Sequence, residues 1–155
     1  MSTPRALALG AISGLRFASG PAFVSRAASR GYMDLGDTPL AFLGSPRLSK
    51  VLALIELGEI IGDKLPATPS RTALPPLLGR AASGGLVGAA AFVSADRRAA
   101  MGVLLGSAAA VAAAFAGERL RALLGSKTGL PDSVVALAED GVVLLVGSRA
   151  SKNVH

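Results

Sequence analysis

A chain of 155 residues with 51% hydrophobic and 17% charged residues and a mean hydropathy of +0.54 is too apolar for an ordinary water-soluble domain. Its 19 glycines, abundant alanine and 4% aromatics make smooth helices that approach closely, the habit of small residues in lipid. The net charge of +6 does not point to nucleic acid, because the 16 lysines and arginines are spread between apolar segments without aromatic interleaving. With no cysteine, and with the one histidine at His155, neither a cofactor nor a metal nor a catalytic centre is expected.

In chain order, Ala6 to Ser25 is a 20-residue stretch whose sole charge is Arg16, long enough to cross a bilayer once. A cleaved signal peptide would need an uninterrupted apolar centre, and a transit peptide would use Arg5, Arg16, Arg26 and Arg30; both compete with the span. Tyr32 to Pro46 holds turn formers and breakers and reads as a loop, with Leu40 to Leu43 at the interface. Leu48 to Gly62 is helical but short, and Asp63 to Pro76, with four prolines, must be a rigid polar connection. Ala73 to Ala95 forms the next segment, and Asp96, Arg97 and Arg98 a tight turn. Ala99 to Gly117 then supplies 19 uncharged residues, the plainest span, with an interfacial extension to Leu124. Gly125 to Gly129 reads as a break and Pro131 to Ser148 as a fifth segment, followed by a polar tail from Arg149. The expected organisation is one transmembrane domain over 1–148 and a tail over 149–155.

The two short acidic segments share A-L-x-E-x-G: Ala53, Leu54, Glu56 and Gly58 against Ala136, Leu137, Glu139 and Gly141. If all five segments cross, the pair Ala6–Ser25 with Leu48–Gly62 and the pair Ala99–Gly117 with Pro131–Ser148 have opposite orientations, an inverted repeat of the kind that places transporter sites at short segments. Gly10/Gly14, Gly58/Gly62, Gly84/Gly88 and Gly102/Gly106 each form G-x-x-x-G, suited to contacts within one chain or between copies in a homo-oligomer. Five crossings also leave positive charge almost balanced, six residues against eight, so insertion direction should be weakly fixed.

Charge within hydrocarbon is costly and seeks a partner. Arg16 is therefore expected to pair with Glu56, Glu59 or Glu139, as a structural ion pair or as part of a protonatable or cation-binding site. Glu139 and Asp140 are adjacent and serve different neighbours, with Glu139 favoured as the inward one because it carries the repeat. No nucleophile–base pair, phosphate loop or histidine metal spacing is present, so an enzyme is not expected.

Gly14-Leu15-Arg16, Gly20-Pro21-Ala22, Gly58-Glu59, Asp63-Lys64-Leu65-Pro66, Thr68-Pro69-Ser70-Arg71-Thr72, Gly129-Leu130-Pro131-Asp132 and Ala138-Glu139-Asp140 together resemble the bacterial membrane family DUF4126. The resemblance covers nearly the whole chain and implies a multi-span protein of the bacterial inner membrane with no settled activity. It keeps the first segment in the mature chain, since Arg16 belongs to a matching motif. It also singles out Asp63, Lys64, Pro66, Thr68, Pro69, Arg71 and Thr72 as a stiff polar loop, either capping the bundle or touching an anion or headgroup.

The expectation is thus an all-α integral membrane bundle of about five segments in contact with lipid. Its leading function is a small transporter or channel for a proton, cation or small solute through Arg16, Glu56, Glu59, Glu139 and Asp140. The alternative is a non-catalytic scaffold or lipid-contacting protein whose charges staple helices together.

Overall fold

The computed structural model describes residues 2–62, 72–129 and 131–152, with their side chains except those of Thr128, Asp132 and Lys152. Six α-helices and, among the described residues, no strand make up the molecule: α1 (Ser2–Leu15), α2 (Ser19–Ser29), α3 (Pro46–Gly62), α4 (Leu74–Val93), α5 (Ala99–Thr128) and α6 (Asp132–Lys152). A 3-10 turn, Ala41–Gly44, lies between α2 and α3.

The segment Ala6 to Ser25 does not form the single span expected of it. Its helix stops at Leu15 and resumes at Ser19, and α2 returns along α1: a Cβ added to Gly20 would collide with Ser13 Oγ and lie 3.2 Å from the Leu9 carbonyl. Contacts with α6 trace the reversal. Arg5 reaches Ala150 and Ser151, Arg16 reaches Asp140, and Phe23 is back beside Gly147. The cause is local, since a helix continued through the break would need an N–H at position 21 to bond the Phe17 carbonyl, and Pro21 has none. In the first turn of a new helix Pro21 costs nothing, and glycine at 20 permits the close return.

At 14 and 11 residues, α1 and α2 are about 21 and 16 Å long, each short of a hydrocarbon layer of about 30 Å. By contrast α4 and α5 are long and apolar enough to cross a membrane, judged by length and composition. α5 runs on to Thr128, through the break expected at Gly125, and stops at Gly129, whose φ of 62° is the left-handed conformation that closes a helix. α6 likewise passes Ser148, so Arg149 is helical and not part of a loose tail.

Glycine builds the centre. On α5, Gly106 receives Gly10 of α1 on one side and Gly84 of α4 on the other, Ala110 receives Gly14, and Gly102 meets Gly88, all at backbone contact, while the Ala110 methyl packs on Gly84. Any β-carbon there would overlap a carbonyl or a neighbouring Cα, so three of the four G-x-x-x-G pairs are consumed inside the chain. The register Gly10–Gly106 and Gly14–Ala110 makes α1 parallel to α5. The first segment is therefore a hairpin whose outgoing arm is parallel to α5, and not an inverted counterpart of it.

Tyr32 to Pro46 is more than a connector. Met33, Leu35 and Leu43 are buried in a cluster with Leu9, Val24, Val87 and Phe92, and the Ser25 hydroxyl donates to the Leu43 carbonyl at 2.6 Å. Phe42, in contrast, is exposed. The contacts place the start of α1, the end of α2, the start of α3, the α4–α5 turn and the end of α6 at one end of the bundle. Arg97 donating to the Ser2 hydroxyl at 3.0 Å is one example.

Candidate functional site

The hairpin tip, Arg16 to Ala18, is where the chain has to satisfy polar groups away from either end. Two helix termini meet there: α1 leaves carbonyls at its negative end, and α2 leaves N–H groups at its positive end. Each receives the opposite charge. Glu59, projecting from α3, accepts from the backbone N–H of Phe17 and of Ala18, both at 2.8 Å, so one carboxylate closes the start of α2. No side chain of α2's own N-cap does so. The guanidinium of Arg16 lies at the α1 end, fully buried, and pairs with Asp140 of α6. Arg80 of α4, also buried, stands 3.8 Å from Glu59, and Ser83 one turn on donates to the Phe17 carbonyl at 2.7 Å. That last bond replaces the one Pro21 cannot make.

Arg16 therefore has a carboxylate on another helix, Asp140, a partner the sequence reading did not name. Glu139, expected as the inward residue, and Asp140 meet different arginines. Both side chains are largely enclosed, 11% exposed for Asp140 and 12% for Glu139, and Glu139 forms an ion pair with Arg121 at 2.7 Å. The reason is angular: neighbours on a helix point about 100° apart, and the face of α6 that carries Val135, Ala136, Asp140 and Val143 is the buried one. The shared A-L-x-E-x-G did not mark that face.

Glu56 lies on the flank of the tip, facing the buried Ser19 hydroxyl and within electrostatic reach of Arg16, Glu59 and Arg26. It lines a cleft of about 550 Å³ between α2 and α3. A second cleft of about 270 Å³, between α5 and α6 on the far side of Leu15, is almost wholly apolar apart from the Arg121–Glu139 pair. Of the loop residues singled out by resemblance, Asp63, Lys64, Pro66, Thr68, Pro69 and Arg71 lie outside the described residues. Thr72 is described, and its hydroxyl bonds the Glu118 carboxylate of α5.

Arg80 and Arg121 escaped the sequence reading, although each interrupts or borders an apolar run, where a lone charge ordinarily has a job. The backbone amides of Phe17 and Ala18 could not have been found without recognising that Ser19-Gly20-Pro21 starts a helix. Among the described residues no group of three or more His, Cys, Asp and Glu could hold a metal ion.

Comparison with known proteins found no matching curated protein and no matching solved structure. The family model described as a domain of unknown function, DUF4126, matches residues 5–151, nearly the whole chain, and the chain belongs to that family.

Proposed function

We propose that this is a non-catalytic integral membrane protein: a lipid-contacting bundle whose interior charges hold a half-depth helical hairpin in place. The carrying observation is the hairpin tip, where Arg16, Asp140, Glu59 and Arg80 engage one another and the interrupted backbone. Irregular backbone at that depth is tolerated in lipid only where protein or a water-lined cavity covers it, and here protein does. The outer surface supports the same reading. Large apolar side chains stand exposed on several helices, Leu54 and Ile61 on α3, Leu78 on α4, Leu104 on α5 and Leu145 on α6 among them, more than a protein in water displays. In this reading α3 to α6 cross and α1–α2 re-enters, in a cell's plasma membrane, with lipids as its partners and no nucleic acid.

The lack of cysteine makes the test clean. The full chain should remain in the membrane pellet after carbonate washing. Single cysteines replacing Ser29 and Ala95 should then label with an impermeant maleimide from the same side of sealed vesicles, while Phe17→Cys stays unlabelled. Release by carbonate sinks the membrane reading, and labelling of Ser29→Cys and Ala95→Cys from opposite sides sinks the hairpin.

One observation favours a second reading, a small transporter or channel for a proton, cation or small solute. Helices broken at mid-depth present their termini to substrates in many transporters, and Glu56 faces a cleft beside such a break. The antiparallel course of α3 and α6 keeps the A-L-x-E-x-G correspondence compatible with a local inverted repeat. Against it, neither of the two clefts described touches two of the five candidate site residues. Proton or cation flux in reconstituted vesicles that disappears in Glu56→Gln would establish transport; flux no greater than in protein-free vesicles supports the structural reading.

A further inference from the structure

The cleft beside Glu56 has a chemistry that the hairpin does not use. Its rim carries Arg26 and Arg30 from α2 and Lys50 from α3, with the hydroxyls of Ser29 and Ser49 between them. All three cations are exposed, and none of the ion pairs among the described residues involves them. Three like charges converging on one opening repel one another, and a doubly liganding oxyanion removes that repulsion. Arg26 and Arg30 also border a neighbouring cleft of about 170 Å³.

Below the rim the walls turn apolar, through Ala22, Phe23 and Ala53 to Leu144 of α6. α3 and α6 lean on α2 from either side, and along both the outward glycines are open: a Cβ at Gly58 or Gly141 would meet nothing within 4 Å. Leu57 on α3 and Leu137, two turns before Leu144 on α6, continue the apolar track away from the charged rim. A basic rim at one end of the bundle, continuous with a lengthwise apolar groove, matches a molecule that carries phosphate at one end and hydrocarbon at the other. Glu56 lines the same cleft and faces the Ser19 hydroxyl, so the cationic rim and not the Glu56 side is where an anion would sit.

We propose that this cleft binds an anionic phospholipid, its phosphate held by Arg26, Arg30 and Lys50 and one acyl chain lying between α3 and α6. Basic pockets between membrane helices take acidic headgroups in this manner. The proposal rests on the lipid-contacting reading above.

The test uses the full chain in a neutral detergent, titrated with phosphatidylglycerol or phosphatidylcholine and followed by native mass spectrometry. Phosphatidylglycerol should bind at least tenfold more tightly than phosphatidylcholine. Arg30→Gln with Lys50→Gln should abolish that preference, whereas Arg98→Gln with Lys127→Gln, which removes equal charge elsewhere, should change it less than twofold. Equal losses in the two double variants would reduce the effect to general surface charge and overturn the site. Glycerol phosphate and inorganic phosphate, each at millimolar concentration, separate the sources of the oxyanion. If either displaces the lipid completely, the groove contributes nothing and the lipid assignment falls. Loss of phosphatidylglycerol preference in a chain that still resists carbonate extraction refutes this inference alone, while extraction by carbonate removes the membrane reading beneath it.

Discussion

Asp140 and Glu139 are neighbours with unequal duties. Asp140 neutralises an arginine that is 1% exposed, so Asp140→Ala strands a buried charge and should cost about 3–5 kcal/mol, read as a lowered melting midpoint in detergent. Replacing both partners, Arg16→Met with Asp140→Leu, should recover most of the loss, because an apolar pair of similar volume leaves nothing uncompensated. Glu139→Ala releases only the partly exposed Arg121 and should cost about 1 kcal/mol. Equal effects at 139 and 140 would refute the division. Glu59→Ala removes the acceptor of two amide protons, and a loss of about 2–3 kcal/mol is expected, with Glu59→Gln between it and the native chain. Which residues bear charge was plain in the sequence. Their pairing was not, because a pair such as Arg16 and Asp140 is joined only when α1 and α6 have been placed antiparallel.

Among the helices, the glycine pairs were legible as close-packing faces, and the backbone contacts of α1, α4 and α5 place three of the four. Gly88→Ala and Gly106→Ala should each push α4 from α5 and sharply lower folded yield, since the intruding methyl meets backbone that cannot yield. Gly58→Ala faces open space and should be neutral, or stabilising by up to about 1 kcal/mol through helix propensity. A uniform response across these glycines would show that the packing assignment is wrong. Apolar length misled at the first segment: counting 20 mostly uncharged residues says how far a helix could reach, whereas Gly20-Pro21 decides that it turns back. The loop after it was misjudged for a related reason. Turn formers at Gly36 and Pro39 hide the fact that Met33, Leu35 and Leu43 alternate with them and point into the core.

For the molecule as a whole, the returning hairpin rearranges the charge balance. It moves Arg5 to the end that also carries Arg26, Arg30, Arg47, Lys50, Arg97, Arg98 and Arg149, away from Arg119, Arg121 and Lys127 at the other. Moving that one charge turns the six against eight expected from five crossings into five against nine, and the richer end should face the cytoplasm. Fusions of a topology reporter at His155 and in the Tyr32–Pro46 loop should both report cytoplasmic, and should continue to do so after Arg97→Ala with Arg98→Ala. A mixed signal, or inversion by those two changes, would refute the bias.

The hairpin also dictates an order of birth. Until α4 is translated, the emerging chain offers only helices of 14, 11 and 17 residues, two of them too short to cross and the third carrying Arg47, Lys50, Glu56 and Glu59. None of these resembles a sequence that an insertion machine would release sideways into lipid. Arg16, moreover, acquires its counter-ion only when residue 140 has left the ribosome. On the proposed membrane reading, the first 62 residues should wait at the interface and sink into place after α4 and α5 provide their glycine faces, the earliest part of the polypeptide being the last to reach its depth. Nascent chains arrested shortly after α3 should wash off membranes with carbonate, those arrested after α5 should not, and protection of a cysteine at position 17 should appear only once α6 has emerged.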